Sequence, residues 1–141
     1  MRSVARTAHL VVAWLLVAGL VAQIFLAGLG VFRDAASFET HKNFGYTLEL
    51  LPLVLLVLGL VAGLGRRAAG LAAVIFGLFL LQSVFVALRA DAPEVAALHP
   101  VNGFLITILA LVLARDAWLG RRASSEVVAV PESPGRDPSA T

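Results

Sequence analysis

The stretch His41-Lys-Asn-Phe-Gly45 has a near copy later in the chain, His99-Pro-Val-Asn-Gly103. The two histidines are 58 residues apart, and each copy opens a long apolar run. Another apolar run precedes each copy and carries one glutamine near its end; these glutamines are Gln23 and Gln82, 59 residues apart. Two nearly equal offsets predict a helical hairpin that occurs twice.

The composition is typical of an integral membrane protein. Of the 141 residues, 60% are hydrophobic and 14% are charged, whereas an average soluble domain has about 25% charged residues. The apolar runs are long enough to cross a bilayer, which takes roughly 20 residues per helix. We therefore predict an all-α bundle of four transmembrane helices, made of two duplicated hairpins, with helices at about 7–31, 38–64, 68–88 and 98–118.

The two ends of the chain differ in character. The basic start resembles a signal peptide, but the first apolar run is longer than the roughly 7–15 residues of a signal-peptide core, so we expect a retained helix. Residues 1–119 form the predicted transmembrane domain. Residues 120–141 are rich in Arg, Ser, Glu and Pro and predict a disordered cytoplasmic tail, because such a segment cannot bury a core.

The positive charges predict the orientation, since Lys and Arg concentrate on the cytoplasmic side. We expect both termini in the cytoplasm, in a bacterial cytoplasmic (inner) membrane, with both repeated histidines near the outer surface. His9 is expected at the cytoplasmic interface. Eight cationic residues would be cytoplasmic and three external, respectively Arg2, Arg6, Arg66, Arg67, Arg115, Arg121, Arg122 and Arg136, and Arg33, Lys42 and Arg89.

Several classes of function are excluded by composition. The chain has no cysteine, which removes disulfides, thiolate zinc sites, iron–sulfur clusters and covalently attached haem. The net charge of +2 is too small to predict a nucleic-acid partner, and the arginines of the chain do not form one basic patch.

The residues on the histidine faces predict a polar pocket in the outer half of the bundle. Polar side chains within the hydrocarbon normally point into a bundle, and cofactors are held in such interiors. A glycine one turn after each histidine would leave space for the edge of a porphyrin. Besides the two histidines, the predicted site residues are Gln23, Gly45, Glu49, Gln82, Arg89, Gly103 and Thr107.

This pattern favours one haem b held between two histidines. His41 and His99 would be the axial iron ligands, and six-coordinate iron favours electron transfer or haem holding over oxygen chemistry. Arg89, with Arg33 or Lys42, would pair with the haem propionates, because arginine suits carboxylates. We expect a binding or electron-transfer protein rather than an enzyme.

The layout resembles one four-helix half of haem A synthase, and also a group of small, uncharacterised four-helix bacterial membrane proteins. The resemblance rests on Gln23-Ile-Phe-Leu-Ala-Gly28-Leu-Gly30, on Glu39-Thr-His41-Lys42-Asn-Phe-Gly45, and on Gln82 through Leu98-His99. It implies a histidine pair near the outer surface that holds a b-type haem. The catalytic glutamate of that family would stand at Phe38, so the resemblance implies haem holding without haem oxidation.

Three alternatives remain open at this stage. The chain could be a cofactor-free accessory or structural subunit, in which the histidines are interfacial and the glutamines form hydrogen bonds between helices. It could bind a quinone or another small molecule through Glu49 and the histidines. A zinc site is a weaker alternative than these two, because Glu49 lies roughly 12 Å from His41 along the helix. Beyond the lipid bilayer, a redox partner, a larger membrane complex or a homo-oligomer is compatible with the sequence.

Overall fold

The computed structural model describes residues 1–129, with side chains described for residues 1–123. These residues form four long helices and one short helix, with no strand among them. The four long helices are each long and apolar enough to cross a membrane, which confirms the prediction of an all-helical chain with four such segments. The helices are α1 (Arg2–Phe32), α2 (Ser37–Ala62), α3 (Gly65–Ala87), α4 (Pro93–Ala96) and α5 (Leu98–Ala129).

The long helices form a four-cornered bundle. Helix α1 packs against α2 and α5, and α3 packs against the same two helices. Within the described part of the chain, α2 and α5 make no direct backbone approach to each other, and neither do α1 and α3. Helices α2 and α5, which carry the two histidines, therefore face each other across the diagonal.

The turn between α2 and α3 is tight because it uses two glycines. Gly63 (φ +66°) and Gly65 (φ +83°) adopt the left-handed conformation, which glycine enters without a Cβ clash. The N–H of Leu64 donates to the carbonyl of Gly59 at 3.0 Å, so the last carbonyls of α2 are partly satisfied, as in a Schellman-type helix end. This turn reverses the chain within three residues and sets α3 antiparallel to α2.

The core lies along the bundle axis and takes residues from all four long helices. The large side chains with almost no exposure include Leu16 on α1, Leu55 on α2, Ile75 on α3, and Ile106 and Leu113 on α5. Many other large apolar side chains point outward and are exposed. This outward apolar surface suits contact with lipid, and the four helices are long and apolar enough to span a bilayer.

The observed helices differ from the predicted bounds mainly at the ends of the chain. Helix α1 begins at Arg2 rather than near residue 7, and α5 continues to Ala129. Residues 120–129 are therefore helical, although the sequence predicts a disordered tail from residue 120. Residues 130–141, the rest of that predicted tail, lie outside the described residues. The predicted turn before α5 contains the short helix α4, which starts at a proline, where the missing N–H has no helical partner to lose.

Candidate functional site

His41 and His99 meet across the diagonal of the bundle. Their ring centroids are 6.1 Å apart, with 68° between the ring planes, and both side chains are half-buried. Each histidine lies near the start of its helix, so the pair sits at the same end of the bundle as the two connections 33–36 and 88–92. The structure thus brings together the two residues that the repeated motif singled out.

The His41 ring is oriented by the backbone of α1. Its Nδ1 lies 3.1 Å from the carbonyl oxygen of Gln23. A helical carbonyl has a second lone pair and can accept this additional hydrogen bond. When Nδ1–H donates to that carbonyl, Nε2 keeps its lone pair. Metal-bound histidines are commonly held in this way, with the second ring nitrogen donating to a backbone carbonyl.

The surroundings of His99 repeat part of this arrangement. The backbone of Gln82 lies beside the His99 ring, as the backbone of Gln23 lies beside His41. The match is incomplete, because the buried Nδ1 of His99 has no hydrogen-bond partner among the described residues. One ring of the pair is therefore held by a hydrogen bond, and the other presents an unsatisfied nitrogen inside the bundle.

Each glutamine side chain lies over the glycine one turn after the histidine. A Cβ added at Gly45 would come within 2.6 Å of Nε2 of Gln23, and one at Gly103 within 3.3 Å of Nε2 of Gln82. The sequence predicts that these glycines make room for a porphyrin edge. In the structure the space over both glycines is occupied by the glutamine amides.

Asn102 is a buried polar residue that the sequence analysis did not single out. Its side chain is 7% exposed, and its Nδ2 donates to Oε1 of Gln82 at 2.8 Å and to the carbonyl of Leu78 at 2.9 Å. Oε1 of Gln23 in the first copy is buried without a partner among the described residues. The sequence does contain a signal for Asn102, since an asparagine within an apolar run predicts an inward-facing residue.

The other predicted site residues make different contacts. Thr107 is half-buried and donates its hydroxyl to the carbonyl of Gly103 in its own helix at 2.9 Å. Arg89 is exposed and donates to the carbonyl of Val86 at 3.0 Å. Glu49 is half-buried, two turns beyond His41 on α2. None of these contacts joins the three residues to the histidine pair.

Two further cations near this end of the bundle have acidic neighbours. Nζ of Lys42 lies 2.8 Å from Glu39, one turn away on α2, and Nε of Arg33 lies 3.6 Å from Asp34. Both pairs are solvent-exposed, so they are weak. Either cation can exchange its partner for another carboxylate at little cost.

His9 is inside the bundle, so the expectation of an interfacial His9 is wrong. The residue is 1% exposed, and neither ring nitrogen has a hydrogen-bond partner among the described residues. Its ring packs against Gly59, where an added Cβ would be in ordinary contact at 3.7 Å. The small residue on α2 admits the ring, which is a packing relation that the sequence of α1 alone does not reveal. His9 lies 14 residues before Gln23 on α1, roughly 21 Å along the helix, so it is remote from the histidine pair.

The donor set of the pair fits two-histidine ligation better than a zinc site. Within residues 1–129, no group of three or more His, Cys, Asp or Glu side chains is placed to hold a metal ion, and structural zinc takes four protein ligands. Two imidazoles on opposite sides of one metal ion, each bonded at about 2 Å, have ring centroids roughly 6 Å apart. The observed centroid distance of 6.1 Å is close to that value, with the two rings in an edge-to-face arrangement.

The fold is that of an all-helical protein in which four helices are long and apolar enough to cross a bilayer. This is the pattern of a multi-pass membrane protein. Residues 23–89 match the model of a family of unknown function, DUF6220. The matched segment begins at Gln23 and ends at Arg89, so it contains His41 and Gln82 but stops before His99. No curated protein and no solved structure matches the chain significantly.

Proposed function

We propose that this chain is a cytochrome b-like protein of the bacterial cytoplasmic membrane that holds one haem b between His41 and His99. The spacing of the two rings carries the proposal. Two half-buried imidazoles with centroids 6.1 Å apart suit axial ligation of a single iron. When bound, haem would supply a one-electron Fe(III)/Fe(II) couple, so the function is electron transfer or haem holding.

The hydrogen bond from His41 to α1 supports the ligand assignment. The Gln23 carbonyl, 3.1 Å from Nδ1, fixes the ring orientation and leaves Nε2 as the ligating nitrogen. The buried, unpartnered Nδ1 of His99 can find a partner when that ring turns toward the backbone of Gln82. Both rings would then be held through a backbone carbonyl of the preceding long helix, one in each half of the chain.

The paired contacts also support an origin by duplication of one hairpin. In both halves a glutamine amide lies over the glycine that follows the histidine by one turn, and the glutamine backbone lies beside the histidine ring. Helices α1 and α2 would correspond to α3 and α5. The resemblance to one half of haem A synthase agrees with this arrangement, and Phe38 at the place of its catalytic glutamate favours holding over oxidation.

Haem binding at this site requires both glutamine amides to move. They occupy the space over Gly45 and Gly103, so both amides would rotate away from the glycines when the rings bind iron. Arg89, Arg33 and Lys42 are close to the same membrane surface and are bound only by exposed contacts. They are available to the propionates at that surface.

A reduced-minus-oxidised absorption spectrum of the purified protein tests the proposal. Protein made with an ample haem supply should show b-type bands and about one haem per chain. His41→Ala and His99→Ala should each abolish or strongly reduce that signal. His9→Phe is the matched control, because His9 is the one other histidine of the chain and is remote from the pair. Colourless wild-type protein, or full haem content in both alanine variants, would refute the proposal.

A rescue experiment separates loss of a ligand from loss of the fold. His99→Gly leaves a gap at the start of α5, and added imidazole should restore the haem spectrum of that variant. If imidazole restores nothing while the variant unfolds at the wild-type temperature, His99 is not a ligand.

The cofactor-free accessory subunit is the second candidate, and one observation favours it. The glutamine amides already fill the space over Gly45 and Gly103, and Asn102 joins Gln82 to α5, so these side chains pack against one another within the bundle. This function predicts colourless protein at any haem supply. It also predicts that His99→Phe leaves assembly and thermal stability unchanged.

A further inference from the structure

A groove between α1 and α5 is separate from the histidine pair. It has a volume of about 370 Å³ and is lined by Trp14, Leu111, Arg115 and Trp118. These two tryptophans are the only ones in the chain. Arg115 lies 16 residues after His99, roughly 24 Å along the helix, so the groove belongs to the opposite end of the bundle.

The face of α5 that lines the groove carries arginines beside its apolar residues. Leu111, Arg115, Trp118 and Arg122 follow one another at spacings of four, three and four residues, which places them in one row on the helix. The guanidinium of Arg122 lies over the Trp118 ring, 5.1 Å from its centroid. Such a row has an apolar end for an acyl chain and a cationic, aromatic end for a headgroup.

The positive charge of Arg115 is not neutralised by the acid next to it. Asp116 is engaged by Nε of Arg67 at 2.8 Å, whereas Arg115 is exposed and lines the groove. Arginine presents a planar fork of N–H donors that matches a phosphate group. The charge of this end of the groove therefore selects an anionic headgroup.

We infer that this groove binds an anionic phospholipid. The phosphate lies against Arg115, and the Arg122–Trp118 pair flanks the rest of the headgroup. One acyl chain lies along Leu111 and Trp14. Basic pockets between transmembrane helices near the membrane surface bind anionic lipids in this way. The inference does not depend on the haem proposal, because no residue is shared between the two sites.

Tryptophan fluorescence tests this inference directly, since both tryptophans line the groove. The full chain is reconstituted in vesicles of phosphatidylglycerol and phosphatidylcholine in which only one of the two lipids carries brominated acyl chains, which quench nearby indoles. At equal mole fractions, brominated phosphatidylglycerol should quench more strongly than brominated phosphatidylcholine. Arg115→Gln should lower this preference about fivefold, the effect expected for one arginine near an anionic lipid.

Arg66→Gln is the matched control, because Arg66 is an exposed arginine at the same end of the bundle on α3, outside the groove. It should keep the wild-type preference. Trp14→Phe and Trp118→Phe each leave one indole, so the quenching can be assigned to a single position in the groove. Equal quenching by the two lipids, or a preference that Arg115→Gln leaves intact, would overturn the inference. Quenching by neither lipid would also overturn it, because another protein surface would then cover the groove.

Discussion

His41 is held by a glutamine of the preceding helix rather than by the residues next to it in sequence. The backbone of Gln23 accepts a hydrogen bond from His41, while its side chain lies over Gly45. One residue of α1 thus contacts two positions of α2 that are a helical turn apart. Substitutions at Gln23 that alter its side chain leave the carbonyl in place, so they affect the contact at Gly45 first.

Gly19 is a residue at which close helix packing can be measured. A Cβ at this position would clash with the side chain of Leu48, which is only 4% exposed and belongs to the packed core. We expect Gly19→Ala to lower the free energy of unfolding by about 1–3 kcal/mol, the usual cost of overpacking a core. Reversible unfolding in mixed detergent micelles measures this change.

Gly28→Ala is the control for that prediction, because a Cβ at Gly28 meets nothing within 4 Å among the described residues. Its unfolding free energy should stay the same or rise by up to about 1 kcal/mol, since alanine is the better helix former. In a Leu48→Ala background, the cost of Gly19→Ala should disappear. A loss of equal size in both glycine variants would mean that the cost at Gly19 does not come from the Leu48 contact.

Among the helix contacts, α3 and α5 are joined by side-chain hydrogen bonds at a position where α2 carries an apolar residue. Asn102 on α5 donates to Oε1 of Gln82 and to the carbonyl of Leu78, both on α3. Phe44 lies at the corresponding position after His41 and cannot make such bonds. The first hairpin has instead the hydrogen bond between His41 and the Gln23 carbonyl, so both hairpins have a polar contact, made at different positions.

A double-mutant cycle on Asn102 and Gln82 measures this connection. Asn102→Leu and Gln82→Leu should each destabilise the bundle, because each leaves the other amide with fewer partners. The double variant should be less destabilised than the sum of the two single variants. The coupling energy should be about 0.6 kcal/mol and at most about 1.7 kcal/mol, the range measured for hydrogen bonds between membrane helices.

Asn43→Ala serves as the reference for that cycle. Asn43 is exposed and donates only to Glu39, one turn away in the same helix, at 3.3 Å. Its replacement should change stability by less than about 0.5 kcal/mol. If Asn102→Leu changed stability as little as Asn43→Ala, the bond between α3 and α5 would have no measurable role in holding the bundle.

For the whole molecule, the four-cornered packing decides which residues can act together. Helices α2 and α5 are diagonal partners, so their facing residues are separated by the width of the bundle rather than by a helix contact. Only long side chains from opposite corners can meet there, and His41 and His99 do so. Small residues on the same faces would leave a gap for a ligand.

The orientation of the molecule in the membrane is a prediction that cysteine labelling can test. The chain has no cysteine, so single substitutions report without background. With both termini cytoplasmic, Ala35→Cys and Ala90→Cys in the two predicted external connections should react with a membrane-impermeant maleimide in intact cells. Ser3→Cys and Ala123→Cys should react only after permeabilisation.

All four of those positions are exposed in the structure. A cysteine that fails to react is therefore protected by the membrane and not by burial within the protein. The reverse pattern would place the histidine pair at the cytoplasmic surface. It would also move the lipid groove to the outer leaflet. If Ser3→Cys and Ala123→Cys were labelled from opposite sides of the membrane, a topology with four spans would be contradicted.

Most residues of the candidate site can be predicted from the sequence, but the contacts between them cannot. The repeated histidine–glycine spacing and the glutamines pointed to residues that do lie together. The amide of Gln23 over Gly45, the burial of His9 against Gly59, and the bond from Asn102 to Gln82 were not predicted. Each depends on how two helices are rotated against each other, and helical periodicity within one segment does not define that rotation.

The four apolar helices could be predicted from the sequence alone, because their length and hydropathy are properties of each segment, and so could a histidine near the start of α2 and another near the start of α5. The meeting of these histidines at 6.1 Å is a property of the tertiary structure. The placement of the glutamine amides over the glycines, and of an arginine and two tryptophans along one groove, is also a property of the tertiary structure. Those relations depend on the order and rotation of the helices around the bundle, which are set by side-chain packing between distant parts of the chain.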